Sequence, residues 1–156
     1  MKKTLFVIIT AALILGGCQK KVEETNDVPA QAAKSEKVEI IDPWIRPSAS
    51  GTNTALFFKV FNNTGKPDTL YDAASEMAIK TEVHETYLME GDMMGMRHVE
   101  QVVIPAGDTV IFKPRDLHVM LMKLKNDVLV GDSGIVSLMF RTSGEVKVTG
   151  LVRGMN

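Results

Sequence analysis

The sequence predicts an all-β domain built as an antiparallel β-sandwich. Three observations carry this reading. Short apolar or alternating runs recur from residue 38 to residue 153, turn residues separate them, and no long stretch repeats with the 3.6-residue period of an amphipathic helix. Seven to nine short strands in about 116 residues suit two packed sheets.

Residues 38–41 (VEII) and 44–46 (WIR) begin the pattern, and Pro47 ends it. Residues 54–61 (TALFFKVF) are rich in β-forming side chains and stop at Asn62-Asn63-Thr64-Gly65. Further strands are expected at 79–88, 98–104, 109–113, 117–124, 135–141 and 146–152. Pro105-Ala106-Gly107-Asp108, Gly131-Asp132-Ser133-Gly134 and Ser143-Gly144 supply turns between them. Residues 72–79 are ambiguous and compatible with a short helical turn; no internal repeat is present.

The N-terminus has a different composition. Lys2 and Lys3 precede an apolar run over residues 4–15, followed by Leu15-Gly16-Gly17-Cys18. A run of twelve residues is too short to span a bilayer and matches the core of an export signal. The ending L-G-G-C is similar to a lipobox, so residues 1–17 are expected to be removed and Cys18 acylated. Two or more acyl chains would hold the protein firmly to a membrane. If the cell is Gram-negative, Gln19 after Cys18 directs such a protein to the outer membrane. Residues 18–37 are polar and charged and read as a flexible tether. The folded domain is expected at 38–153.

Charge and cysteine content exclude several functions. Losing Lys2 and Lys3 leaves 16 basic against 19 acidic residues, so the net charge goes from −1 to −3. No basic surplus exists for nucleic acid. Cys18 is the single cysteine, and acylation consumes it. Neither a disulfide nor a thiolate nucleophile or ligand remains.

The chemistry concentrates in His84, Met96, His118 and Met120, which read H-x11-M-x21-H-x-M. In a strand over residues 117–122, His118 and Met120 share a face while Val119 and Leu121 point into a core. Met122 shares the ligand face one step further along. His84 falls on the more polar side of its strand, where a surface role is the alternative. Met89, Met93, Met94 and Met96 crowd into residues 89–96 (MEGDMMGM), a glycine- and acid-containing segment that reads as a loop. Methionine ordinarily fills gaps in a core, but a polar loop offers little core, so these read as exposed soft donors. Met77, Met139 and Met155 are better assigned to packing or chain-end position.

Ligand chemistry narrows the ion. A blue-copper centre needs a cysteine thiolate, and structural zinc prefers cysteine and histidine. Residues 131–134 (GDSG) lack the G-x-S-x-G elbow of a hydrolase, and no G-x-G-x-x-G or P-loop is present. A reduced copper site of imidazole and thioether donors survives, because thioether sulfur suits Cu(I).

These residues and their flanks closely resemble the PCuAC family of periplasmic copper chaperones, whose motif is H-x10-M-x21-H-x-M. The resemblance rests on Met96-x21-His118-x-Met120 and on Asp42-Pro43-Trp44-Ile45-Arg46. It also rests on His84-Glu85-Thr86, Met96-Arg97-x-Val99-Glu100 and Ile104-Pro105-Ala106-Gly107. It implies a cupredoxin-like Greek-key sandwich with an exposed Cu(I) site and no catalytic turnover. It further implies delivery of copper toward the copper A-bearing subunit of cytochrome c oxidase, alongside thioredoxin-like Sco proteins. The first gap here is one residue longer than the family's, so Met96 and Met94 are alternative loop ligands. His98, Met89 and Met93 are candidate additional donors, His98 for Cu(II).

Other functions compatible with the chain are copper sequestration, a metal-free adhesion or scaffold lipoprotein, and a copper oxidase. Imidazoles must be neutral to bind metal. Two ordinary histidines, with pKa about 6.5, would each cost roughly 2 kcal/mol of affinity at pH 5.

Overall fold

The computed structural model describes residues 37–154. Cys18, residues 1–17 and nearly all of the tether at 18–37 lie outside them. Ten strands follow in order: β1 (Glu39–Ile45), β2 (Thr54–Phe61), β3 (Asp68–Ala74), β4 (Ala78–Leu88) and β5 (Met94–His98), then β6 (Val102–Ile104), β7 (Thr109–Phe112), β8 (His118–Leu124), β9 (Ser133–Phe140) and β10 (Gly144–Val152). No helix occurs among the described residues, so the helical turn allowed at 72–79 is not formed.

The strands hydrogen-bond in the order β5-β4-β8-β2-β1-β10-β9-β3-β6, with β7 pairing the second half of β2. Most neighbours are not consecutive in the chain, so connections cross over between the two layers. β1 joins the layers: it pairs antiparallel with β2 and parallel with β10 through Trp44↔Leu151 and Ile45↔Val152. The sheet is therefore mixed, where the sequence predicts antiparallel pairing throughout. The β1–β2 register shifts between Ile41 and Trp44. Asp42 there has φ 50°, and Pro43 has no N–H to give to a ladder.

Alternation decides which side chains enter the core. Val83, Val119, Leu121, Leu56 and Ile45 from one layer meet Leu70, Ile104, Val136, Leu138 and Val148 from the other in one cluster. Gly150 lies at the seam of the two layers. A Cβ on it would stand 2.8 Å from both Ile45 Cγ1 and Leu56 Cδ1, and both of those side chains are fully buried. Gly150→Ala is therefore expected to overpack the core and cost about 1–3 kcal/mol. A thermal melt checks this; an unchanged midpoint would mean that the seam has slack.

Two strands differ from the sequence reading. β3 includes Asp68 and Asp72, residues depleted in strands, and its pairing with β9 is irregular between Leu70 and Asp72. β5 takes Met94 and Met96 out of the expected loop, and the expected strand at 98–104 splits into the end of β5 and β6. The reason is a hairpin: β4 extends through Leu88, Met89 N–H donates to Met93 O, and Gly91 and Asp92 adopt left-handed φ of 78° and 58° at the tip.

Candidate metal centre

Cross-strand register places the predicted donors on one face. His84 lies directly opposite His118 on β8 and opposite His98 on β5. Thr86 opposes Met96, Leu88 opposes Met94, and Glu82 opposes Met120. Directly paired residues share a face. Because Val83, Val119 and Leu121 turn into the core, His84, His118, Met120, Met94, Met96 and His98 all turn away from it. The two strand positions of β8 named from alternation are thus where the fold puts them.

His118 is nevertheless buried. Its ring lies 6.3 Å from that of Phe57, and the turn from Lys113 to Leu117 closes beside it through Lys113 N–H to Leu117 O. His118 Nδ1–H donates to Asp116 O at 2.9 Å. That bond fixes the tautomer and leaves Nε2 with a free lone pair. Burial holds the imidazole below the usual histidine pKa, against the Asp116 carbonyl, and the charges of His84 and Arg46 act in the same direction as burial.

His84 is the complement. Its ring centroid is 6.1 Å from that of His118. Nε2–H donates to Glu82 Oε2 at 3.1 Å, so Nδ1 carries the lone pair. This Nδ1 is buried and has no hydrogen-bond partner. A buried imidazole nitrogen without a donor is costly, and a metal ion would satisfy it.

Met94, Met96, His118 and Met120 line a cleft of about 360 Å³, together with Arg46 and Arg115. His84 adjoins His118 but is not in the cleft wall. Met96 is one pleat from His84, the step from Thr86 to His84, whereas Met94 is two. His98 sits exposed on β5, its ring 6.0 Å from that of His84. Met89 and Met93 stand exposed at the hairpin tip, outside the cleft. Among the described residues no three His, Cys, Asp or Glu side chains gather to hold an ion. The sulfurs that this face offers are the thioethers of Met94, Met96 and Met120, donors that suit Cu(I).

Some participants escape sequence reasoning. Glu82 orients His84, and strand alternation had a signal for it, since residues 82 and 84 share a face. Arg115 and Phe57 had none: they reach the cleft only through the β7–β8 turn and the β2–β8 pairing.

Fold and cleft together define a cupredoxin-like β-sandwich with soft donors on the outer face of one layer. The LpqE-like family model, described as "Putative lipoprotein LpqE-like", matches residues 38–152, and the chain belongs to that family, within the PCuAC group. It is 30% identical over 132 residues to "Putative lipoprotein Lxx21020" of Leifsonia xyli subsp. xyli, covering 83% of this chain and 78% of that one. Its fold is similar to the structure "Copper-bound PCuAC domain from PmoF2", with TM-score 0.63 and 24% identity over 76% of this chain and 94% of that one. It is also similar to "Solution structure of CuI-DR1885 from Deinococcus Radiodurans", with TM-score 0.59 and 27% identity over 80% and 85% of the two chains.

Proposed function

We propose that this protein is an extracytoplasmic Cu(I) carrier without catalytic turnover. The ligands are His84 through Nδ1, His118 through Nε2, and the sulfurs of Met120 and Met96. The observation that carries this reading is the pair of facing imidazoles, each with one nitrogen held by a hydrogen bond and the other free. The thioethers of Met96 and Met120 lie on the same face. Copper-bound relatives of the same fold support the choice of ion. Register favours Met96 over Met94 because it is the nearer to His84.

The delivery route rests on the family resemblance: Cu(I) passes toward the copper A-bearing subunit of cytochrome c oxidase, with Sco-like proteins as co-workers. Acylation at Cys18 anchors the carrier to a membrane, and kinship with lipoproteins supports this. An exposed, thioether-rich site suits release, since an acceptor can reach the ion and exchange ligands.

Anaerobic titration of residues 19–156 with Cu(I) against a chromophoric chelator tests the reading. One tight equivalent is expected. Several equivalents would favour sequestration by Met89 and Met93 as well, and none would eliminate both copper functions.

The same titration repeated across pH gives a second expectation. Affinity should fall between pH 7 and pH 5 as the imidazoles protonate. Two ordinary histidines would cost about a thousandfold together at pH 5. Burial lowers the His118 pKa, so its share is smaller than that of an ordinary histidine. A flat profile would count against both imidazoles as ligands.

A further inference from the structure

The cleft has an unusual charge balance for a cation site. Arg46 and Arg115 line it, and no carboxylate does. Neighbouring acids already have partners: Glu82 with Lys80 and the site's own His84, Glu85 with Arg97, Asp116 with Lys113, and Asp42 with Arg153. Among the described residues neither Arg46 nor Arg115 enters an ion pair. Arg115 lies in the turn beside His118 with φ 64°, backbone uncommon outside glycine.

The four proposed donors are all neutral. Cu(I) bound by them alone would add a third positive charge to a cleft that already holds two guanidinium groups. Met96, meanwhile, is the ligand most open to displacement: it is 58% exposed and sits on β5 at the edge of the sheet.

We propose that the cleft takes one soft monoanion, of the thiolate class, together with Cu(I), and that Arg46 and Arg115 are its recognition residues. This rests on the Cu(I) carrier reading above. The anion's lone pair replaces the Met96 sulfur on the ion, and Met96 leaves as a neutral thioether. Copper stays Cu(I) and no electron moves; a thiol gives its proton to the buffer as it binds as thiolate, whereas thiocyanate has none to lose, and in either case the added −1 offsets the +1 of the ion. His84, His118 and Met120 keep hold of the metal meanwhile. The arginines therefore favour the anion-bound state over binding of Cu(I) alone, which is the state from which an acceptor removes it. Copper and anion must each raise the other's affinity by the same factor.

Thiocyanate is a suitable probe, being a soft sulfur-donor monoanion whose C≡N stretch reports coordination in the infrared. Cu(I) is first titrated into residues 19–156 in perchlorate buffer, then thiocyanate is added to the apo and copper-loaded forms. The copper-loaded protein is expected to bind one thiocyanate at least about tenfold more tightly than the apo protein. The Arg46→Gln/Arg115→Gln double variant is expected to lose most of that gain while still binding Cu(I). Arg46→Lys/Arg115→Lys should recover part of it, because charge is retained. N-acetylcysteine amide and a short cysteine-containing peptide then separate the natural sources. Tighter binding of the peptide assigns the thiolate to an acceptor protein, and equal binding assigns it to a free thiol. Copper bound with no thiocyanate uptake, or uptake unchanged in the Gln double variant, would overturn this inference alone. No Cu(I) binding in perchlorate would remove the carrier reading and this inference together.

Discussion

Replacing His118 with alanine is expected to lower Cu(I) affinity by about 100-fold or more. The estimate follows from the ligand's position. Loss of a group that merely orients a ligand costs about 10–100-fold, and His118 is placed to donate directly. It is also the residue most firmly held in position, buried beside Phe57 and tied to Asp116 O. No rearrangement of a neighbour brings another imidazole to its place, since His98 is two strands away across β4. His84→Ala should lose a comparable amount. Met96→Ala should lose less, because Met94 lies on the same face and the same strand to substitute for it. Competition against a chromophoric Cu(I) chelator reads all three, with a thermal melt of each apo variant to separate lost ligation from lost fold. Parent-like affinity in a folded His118→Ala protein would sink the assignment of this face as the copper site.

The second large effect is expected far from the cleft. Asp68 is 1% exposed, so water cannot solvate its carboxylate. Three backbone N–H groups converge on it instead, from Thr69, Thr142 and Ser143. The Ser143 hydroxyl donates to it too, while accepting Val38 N–H. One carboxylate thus joins the start of β3, the β9–β10 turn and the residue before β1. Burial alone would raise its pKa, but the hydrogen bonds from Ser143, Thr142 and Thr69 outweigh burial and hold it below the usual aspartate value.

Asp68→Ala would leave those buried donors without an acceptor, at a cost of about 3 kcal/mol. For a domain of this size that is a fall in Tm of roughly 10 °C. The pH dependence has a definite sign. A carboxylate with a lowered folded pKa binds fewer protons folded than unfolded. It contributes its full stability above the unfolded value near 3.8 and loses it as pH falls through the lower folded pKa. The gap between parent and variant should therefore be widest near neutrality and narrow below about pH 4. A gap that persists undiminished in acid would show that the ion is not what holds this junction.

Much of the site was legible in the sequence, for a physical reason. Strand alternation is a local rule, so the shared face of His118 and Met120 and the inward course of Val119 and Leu121 follow from residue order alone. Thioether and imidazole donors likewise declare a soft ion without reference to geometry, and the single cysteine removes the competing centres. The chain pattern of turns and apolar runs was enough for an all-β domain.

What failed at this level was non-local. β3 was missed because Asp68 and Asp72 argue against a strand. The N–H groups of Thr142 and Ser143 in the β9–β10 turn, some seventy residues away, join that of Thr69 in making a buried aspartate acceptable there. Residues 94–96 read as loop because the segment 89–96 contains glycine and acidic residues, and they enter β5 because β4 is long enough to template them. The parallel β1–β10 pairing needs both ends of the domain to meet, which no local pattern encodes.

Residue order by itself determined the candidate donor types, their preference for a soft ion, the facing of β8 and the all-β class. Tertiary structure alone decided which methionine stands nearer His84, which nitrogen of each imidazole is left free, and that two arginines from distant turns face the cleft. Side-chain chemistry is a property of each residue, whereas register, tautomer and local charge are set by neighbours that only folding supplies.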